Sequence, residues 1–360
     1  MFSMLTALLT DRLCATLSWK NARLECLGYL IVSILRHRTV NLVKLSSEAS
    51  GGLKAESLYR RFQNFFLRFA MPLDEVVRLV IQKIPRPHDG WVLSMDRTNW
   101  KYGKTHINIL VVAIVINKVA IPVGWRVLPR ATKRGNSKTK HRIELIKQLL
   151  QIVPASQIKA LTMDREFIGK TWLGWLDDQG IGYVVRIKHN TIVDGSAASQ
   201  YRHRSQLRGS RLRLVWGCEL FFSGCFIQGK NTREDFLYLV SNRFHGKEAL
   251  DLYRRRWGIE QVFSHFKARG FDLETTHMSE PRKIEKLFAV LTLAFMISYG
   301  WGCEMKTNST LSAPQKKKSI FRLGLDRIAQ ILCNKEAFDD EIQRLMDWFA
   351  EPTYHSIFVV

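Results

Sequence analysis

The chain has 360 residues, of which 55 are Lys or Arg and 32 are Asp or Glu, so it carries a net charge of +23. At 46% apolar and 11% aromatic it has material for a sizeable core, which excludes a disordered polymer. The basic surplus exceeds what solubility needs and predicts a polyanionic partner, nucleic acid before membrane. Lys and Arg are spread along the whole length, which favours a basic groove on a folded body over a basic tail.

Six cysteines, at 14, 26, 218, 225, 303 and 333, form no CxxC pair and have no histidine pair at ligand spacing. They predict reduced thiols in a cytosolic protein, neither zinc site nor disulfide. The first 19 residues lack a basic start, and Asp11 and Arg12 interrupt their apolar run, so they do not read as a signal peptide.

Residues 1–85 read as all-helical. Leu5, Leu8, Leu9, Leu13 and Leu17 recur at helical spacing, and Leu24, Leu27, Leu30, Ile31, Ile34 and Leu35 do the same. A Ser-Gly-Gly break at 50–52 precedes a helix from about Lys54 to Ala70. Two helices around a glycine turn suggest a DNA-contacting helix-turn-helix, with Lys54, Arg60 and Arg61 as candidate contacts. A plain helical hairpin with a solvated basic face fits the same pattern.

From Trp91 the pattern changes. Val92–Met95 is a short apolar strand that ends at Asp96. Ile107–Asn117 and Val119–Leu128 are β-rich, with Asn117-Lys118 as their turn. Basic residues 130–142 read as a loop, followed by a helix to about Ile152. A strand over Lys159–Met163 ends at Asp164, then come a helix near Lys170–Gln179 and a strand over Tyr183–Ile187. This order describes an α/β fold, a mixed sheet with helices on its faces. Residues 189–232 break the alternation and read as an inserted, strand-rich lobe containing Trp216. A strand over Phe236–Ser241 follows. The apolar run Leu287–Trp301 is 15 residues, short of the roughly 20 a spanning helix needs, and reads as a buried core helix. A basic stretch at Pro314–Lys318 leads to a helical C-terminus. The implied domains are 1–85, a catalytic domain from 91–188 and 233–305, the insertion 189–232, and 306–360.

Asp96 and Asp164 each follow the C-terminal end of a buried strand, where open α/β sheets expose functional side chains. If their strands are neighbours, the carboxylates approach and repel, and two divalent cations would neutralise them. Hard oxygen donors without His or Cys favour Mg²⁺, with Mn²⁺ able to substitute. The third carboxylate is Glu260, in Tyr253–Lys267. On one continuous helix at about 100° per residue, Tyr253, Arg256, Glu260 and Lys267 share a wedge of roughly 60°. His265 points away from it and reads as structural or solvated, and Glu166 is a weaker alternative ligand. Taken singly, either Asp fits a turn or capping role.

These residues resemble the bacterial DDE transposases of the insertion sequence four (IS-four) family. Its signature, Tyr, two residues, Arg, three residues, Glu, six residues, Lys, is complete in Tyr253, Arg256, Glu260 and Lys267. Asp164-Arg165-Glu166-Phe167 resembles its second acidic element, and Leu93 to Thr98, with Asp96, its first. The resemblance implies a ribonuclease H-like fold with a β-rich insertion before the Glu. It implies two-metal cutting and joining of double-stranded DNA at insertion-sequence ends, with Asp96, Asp164 and Glu260 as metal ligands. Tyr253, Arg256 and Lys267 would bind phosphate, and Trp216 would stack a flipped base as in some members, while a buried tryptophan of the β-rich lobe fits the same residue. It further implies a homodimer in the synaptic complex and a cytoplasmic, nucleoid-associated protein without membrane attachment. The rival expectations are a metal-dependent nuclease on the same scaffold without strand transfer, and a non-catalytic DNA-binding regulator.

Overall fold

The computed structural model describes residues 2–47, 54–129, 137–201, 211–227, 236–308, 315 and 317–333. The glycine turn at 50–52, the basic residues 130–136, most of the Pro314–Lys318 stretch and the tail beyond 333 lie outside the described residues. The chain forms two compact units. One comprises 1–85, 100–107 and 263–360, the other 86–99 and 108–262. These boundaries differ from those read in the sequence: the long apolar helix belongs with the N-terminal helices, and the insertion belongs with the sheet.

The helical unit begins with α1 (Phe2–Cys14), α2 (Asn21–His37), α3 (Leu42–Ser46), α4 (Ala55–Arg68) and α5 (Leu73–Gln82). Asn41 caps α3 by accepting from the Val43 and Lys44 amides. In α4, Leu58, Phe62, Phe65 and Phe66 fall on one buried stripe, while Lys54 just ahead of it and Arg60 stay exposed. The same unit also contains a helix over Pro281–Asn308 and one over Ile320–Cys333. The first packs against α2, α4, α5 and the second. At 28 residues it is longer than its apolar run suggests, and it is long and apolar enough to cross a membrane. Its most apolar window is 94% buried inside the protein, so it serves as the core helix the sequence predicts. Its Lys286 stays satisfied by donating to the Phe66 carbonyl at 2.8 Å.

The second unit is built on a sheet of ten strands among the described residues. They are β1 (Trp91–Tyr102), β2 (Thr105–Ile116), β3 (Val119–Val127), β4 (Ile158–Met163), β5 (Tyr183–Arg186), β6 (Ile192–Val193), β7 (Ser196–Ala197), β8 (Leu212–Val215), β9 (Cys218–Phe226) and β10 (Phe236–Ser241). Their spatial order is β3-β2-β1-β4-β5-β10-β9-β8-β6-β7. β1, β4 and β5 are parallel neighbours, and β10, β9 and β8 continue the sheet antiparallel. The sheet is therefore mixed, as the alternation of patterns predicts. The β2–β3 turn falls at Asn117 and Lys118, both with positive φ. The inserted strands are not a separate lobe. β9 pairs with β10 along its length and adds the insertion to the sheet edge, so one hydrogen-bonded surface runs through both.

Helix α6 (Thr139–Leu150) packs on β3, and α7 (Lys170–Asp178) joins β4 to β5. Val92, Ala160, Val184 and Leu239, from four successive strands, form one apolar face. Against it lie Ala249, Leu250, Leu252 and Tyr253 of α8 (Gly246–Arg255). The burial stripe of α8 thus fixes where the residues after it emerge.

Candidate active site

β1 and β4 pair in parallel with Met95 opposite Met163. Asp96 and Asp164 are the next residues, so the two carboxylates leave neighbouring strands side by side. Asp164 follows the end of β4, whereas β1 runs on through Asp96 to Tyr102 and does not end there as the sequence suggested. That adjacency follows from the parallel register of the two apolar runs, Val92–Met95 against Ala160–Met163, which bury together up to the aspartates.

Glu260 arrives from α8 and the helix after it. Tyr253–Lys267 is not one continuous helix, as the sequence suggested. α8 stops at Arg255 and α9 (Trp257–Phe266) begins anew. At the join the Arg256 amide donates to the Tyr253 carbonyl and the Ile259 amide to the Arg256 carbonyl, both at 3.0 Å and both one residue tighter than an α-turn. Gly258 explains the sharp turn: a Cβ there would lie 2.9 Å from the Lys118 carbonyl oxygen, so only glycine lets α9 start against the β2–β3 turn.

The break keeps Tyr253, Arg256 and Glu260 with the aspartates. Arg256 donates through Nη1 to Asp96 Oδ2 at 2.8 Å and through Nη2 to Glu260 Oε1. Its guanidinium also lies 5.5 Å from the Tyr253 ring centre. Tyr253 donates its hydroxyl to Asp164 Oδ1 at 3.3 Å, and Arg186 Nη1 stands 3.9 Å from the same oxygen. Burial holds the Asp96 carboxyl up at about 6. Arg256 and the Arg97 amide pull it down, while the charges of Asp164 and Glu260 raise it further. Burial likewise pushes the Tyr253 phenol up to about 12, so it remains a donor at neutral pH.

Three carboxylates and no His or Cys make a hard donor set suited to Mg²⁺ or Mn²⁺. Among the described residues, no three His, Cys, Asp or Glu side chains stand close enough to share an ion as placed. Asp96 and Glu260 both turn to Arg256 instead. The fit is therefore one of donor chemistry: hard oxygen ligands gathered around a desolvated Asp96, with Arg256 meeting the charge of Asp96 and Glu260.

The remaining sequence candidates divide. Glu166 is taken by Arg97 in a two-pronged pair, Nε to Oε1 at 3.1 Å and Nη2 to Oε2 at 2.9 Å. Lys267 lies in the helical unit and pairs with Glu274 at 2.8 Å. In the same unit Arg61 ties α4 to α2 through Glu25 and the Ala22 carbonyl, whereas Lys54 and Arg60 are exposed. Trp216 is half-buried at the two-residue β8–β9 turn, with positive φ. His265 is structural, its ring 4.3 Å from that of Phe321. All six cysteines are free. Sequence reasoning missed Arg97 and Arg186, although Arg97 directly follows Asp96 and Arg186 ends β5.

Residues 87–297 match the family of the transposase DDE domain. The chain belongs to that family. No curated protein matches it. Among solved structures it is similar to a piggyBac transposase synaptic complex with hairpin DNA, at 11% identity and a TM-score of 0.42, over 97% of this chain and 82% of that one. At that level the likeness carries no weight for fold detail or function. Membership of the transposase DDE-domain family covers the sheet, Asp96, Asp164 and the segment that brings Glu260.

Proposed function

We propose that this DDE-family transposase cuts and joins double-stranded DNA at insertion-sequence ends, with Asp96, Asp164 and Glu260 as its catalytic carboxylates. Within the DDE family we place it in the insertion sequence four branch, on a ribonuclease H-like sheet. The observation that supports the reading is the pairing of Met95 with Met163, which puts Asp96 and Asp164 next to each other on neighbouring strands, together with Arg256 joining Asp96 to Glu260.

The donor set would hold two Mg²⁺ ions, or Mn²⁺ in their place. When bound, they supply an activated water or 3′-hydroxyl and neutralise charge on the leaving oxygen. The chain's own groups do the rest. Arg256 presents a planar fork suited to carboxylate and phosphate alike, so it both restrains Asp96 and Glu260 and grips a backbone phosphate beside them. The Tyr253 hydroxyl and the Arg186 cation hold Asp164 and face the same phosphate. Lys267 contributes a further phosphate contact in the DNA complex. The helices of residues 1–85, through Lys54 and Arg60, and Trp216 at its hairpin turn add further DNA contacts. Two copies acting on two ends make the synaptic homodimer, and the working place is the nucleoid of the cytoplasm.

Joining of a cut end to a target plasmid tests this function. A nuclease without strand transfer cuts the end and joins nothing. A DNA-binding regulator retards the end and leaves it intact.

A further inference from the structure

The Arg97–Glu166 pair joins the two aspartate-bearing segments through residues the reaction itself does not use. Arg97 follows Asp96 on β1, and its amide donates to Asp96 Oδ1 at 2.7 Å. Its guanidinium grips both oxygens of Glu166 and donates through Nη1 to Asn108 Oδ1 at 2.9 Å. The two charged side chains are only 14% and 22% exposed, so water screens them weakly. Glu166 lies two residues past Asp164, in a turn closed by the Phe167 amide donating to the Asp164 carbonyl at 2.9 Å.

The same turn is held from its other side. Arg142 of α6, itself buried, donates to the Glu166 carbonyl at 2.9 Å and the Ile168 carbonyl at 3.3 Å. It also holds Ser137 through the hydroxyl and the carbonyl, and its guanidinium lies 5.0 Å from the ring centre of fully buried Phe167. Arg142 thus fixes the backbone of the turn to α6. Arg97 fixes it to β1, the strand that carries Asp96.

Carboxylates crowded on neighbouring strands repel, and Asp164 opens the turn after β4 that Arg97 ties to β1. We infer that the Arg97–Glu166 pair is a positioning latch that sets Asp164 against Asp96. The proposal rests on the carboxylate reading above. Orienting partners of metal ligands typically change metal affinity by about 10–100-fold.

The test is Mn²⁺ binding to the full-length protein without DNA, followed by electron paramagnetic resonance, alongside Mn²⁺-dependent cleavage of end DNA. Arg97→Gln and Glu166→Gln are expected to weaken Mn²⁺ binding by about 10-fold or more. Cleavage should recover as Mn²⁺ is raised, and retention of end DNA should stay unchanged. The exchange of charges, Arg97→Glu with Glu166→Arg, should restore most of the affinity. Arg97→Lys, which keeps the charge and loses the fork, should fall between and serves where Arg97→Gln does not fold. Wild-type Mn²⁺ affinity in both single variants overturns the latch. So does loss of binding in Glu166→Gln alone, as complete as in Asp164→Asn, because Glu166 is then itself a ligand. Unchanged Mn²⁺ binding in Asp96→Asn defeats the carboxylate reading, and the latch with it.

Discussion

Arg256 and Asp96, 160 positions apart in sequence, meet at 2.8 Å in a site where Arg256 is 8% exposed. The same guanidinium reaches Glu260, so one cation binds two of the three proposed catalytic carboxylates. Arg256→Gln leaves both without their partner. Losing one member of a buried ion pair costs about 3 kcal/mol, and thermal unfolding should show that loss. Mg²⁺ should then raise the melting temperature of Arg256→Gln more than that of the wild type, because ion and arginine neutralise the same charges. Equal gains would separate Arg256 from the ion site.

Tyr253 touches Asp164 only through its hydroxyl, while its ring is part of the apolar face under α8. Tyr253→Phe keeps the ring and loses a hydrogen bond worth about 1 kcal/mol. Stability should change by no more than that, and cleavage of end DNA should drop several-fold. Tyr253→Ala should unfold far more readily, since it also empties a core position. Urea unfolding of the two variants side by side reads the difference.

The start of α9 depends on Gly258. Gly258→Ala forces a Cβ to 2.9 Å from the Lys118 carbonyl, so α9 must move and carry Glu260 with it. A loss of about 1–3 kcal/mol is expected, with cleavage reduced beyond what stability explains. Gly174→Ala is the control: it lies in α7 with nothing within 4 Å of the new Cβ, and should be neutral or stabilising by up to about 1 kcal/mol.

His265 gives the fold a pH dependence unrelated to catalysis. Burial among Phe295 and Phe321, with Arg269 as the charge nearby, lowers its pKa to about 4. The unfolded chain takes up a proton near pH 6.5 and the folded chain near 4, so stability falls as pH drops through that window and levels off below it. The full loss is about 3 kcal/mol. Chemical denaturation of His265→Leu between pH 7 and 4 should show a shallower acid decline than the wild type; identical slopes would contradict the assignment.

Much of this was legible in the sequence because it rests on local patterns. The strand ending at Asp164 is a short apolar run whose polar end marks where the side chain leaves the sheet, whereas the continuation of β1 past Asp96 to Tyr102 was hidden by the polar residues of its second half. The Asn117-Lys118 turn is written in two residues. The break at Arg256 was not legible: helical periodicity continues through it, and the reason for it, the Lys118 carbonyl beneath Gly258, lies about 140 positions away. The Arg97–Glu166 pair was hidden for the same reason, since nothing local says which acid an exposed-looking arginine will meet. The insertion read as a lobe because its strands break the helix–strand alternation, while the pairing of β10 with β5, which carries β9 into the same sheet, is a long-range choice that periodicity does not encode.

The most direct measurement is Mg²⁺-dependent nicking of DNA spanning the element's ends by the wild type and by Asp96→Asn, Asp164→Asn and Glu260→Gln. The expected result is at least about a 1,000-fold loss of nicking in each variant, as removal of a group central to the chemistry produces, with end binding retained. Wild-type nicking by any one of the three, in a folded protein, would contradict the account.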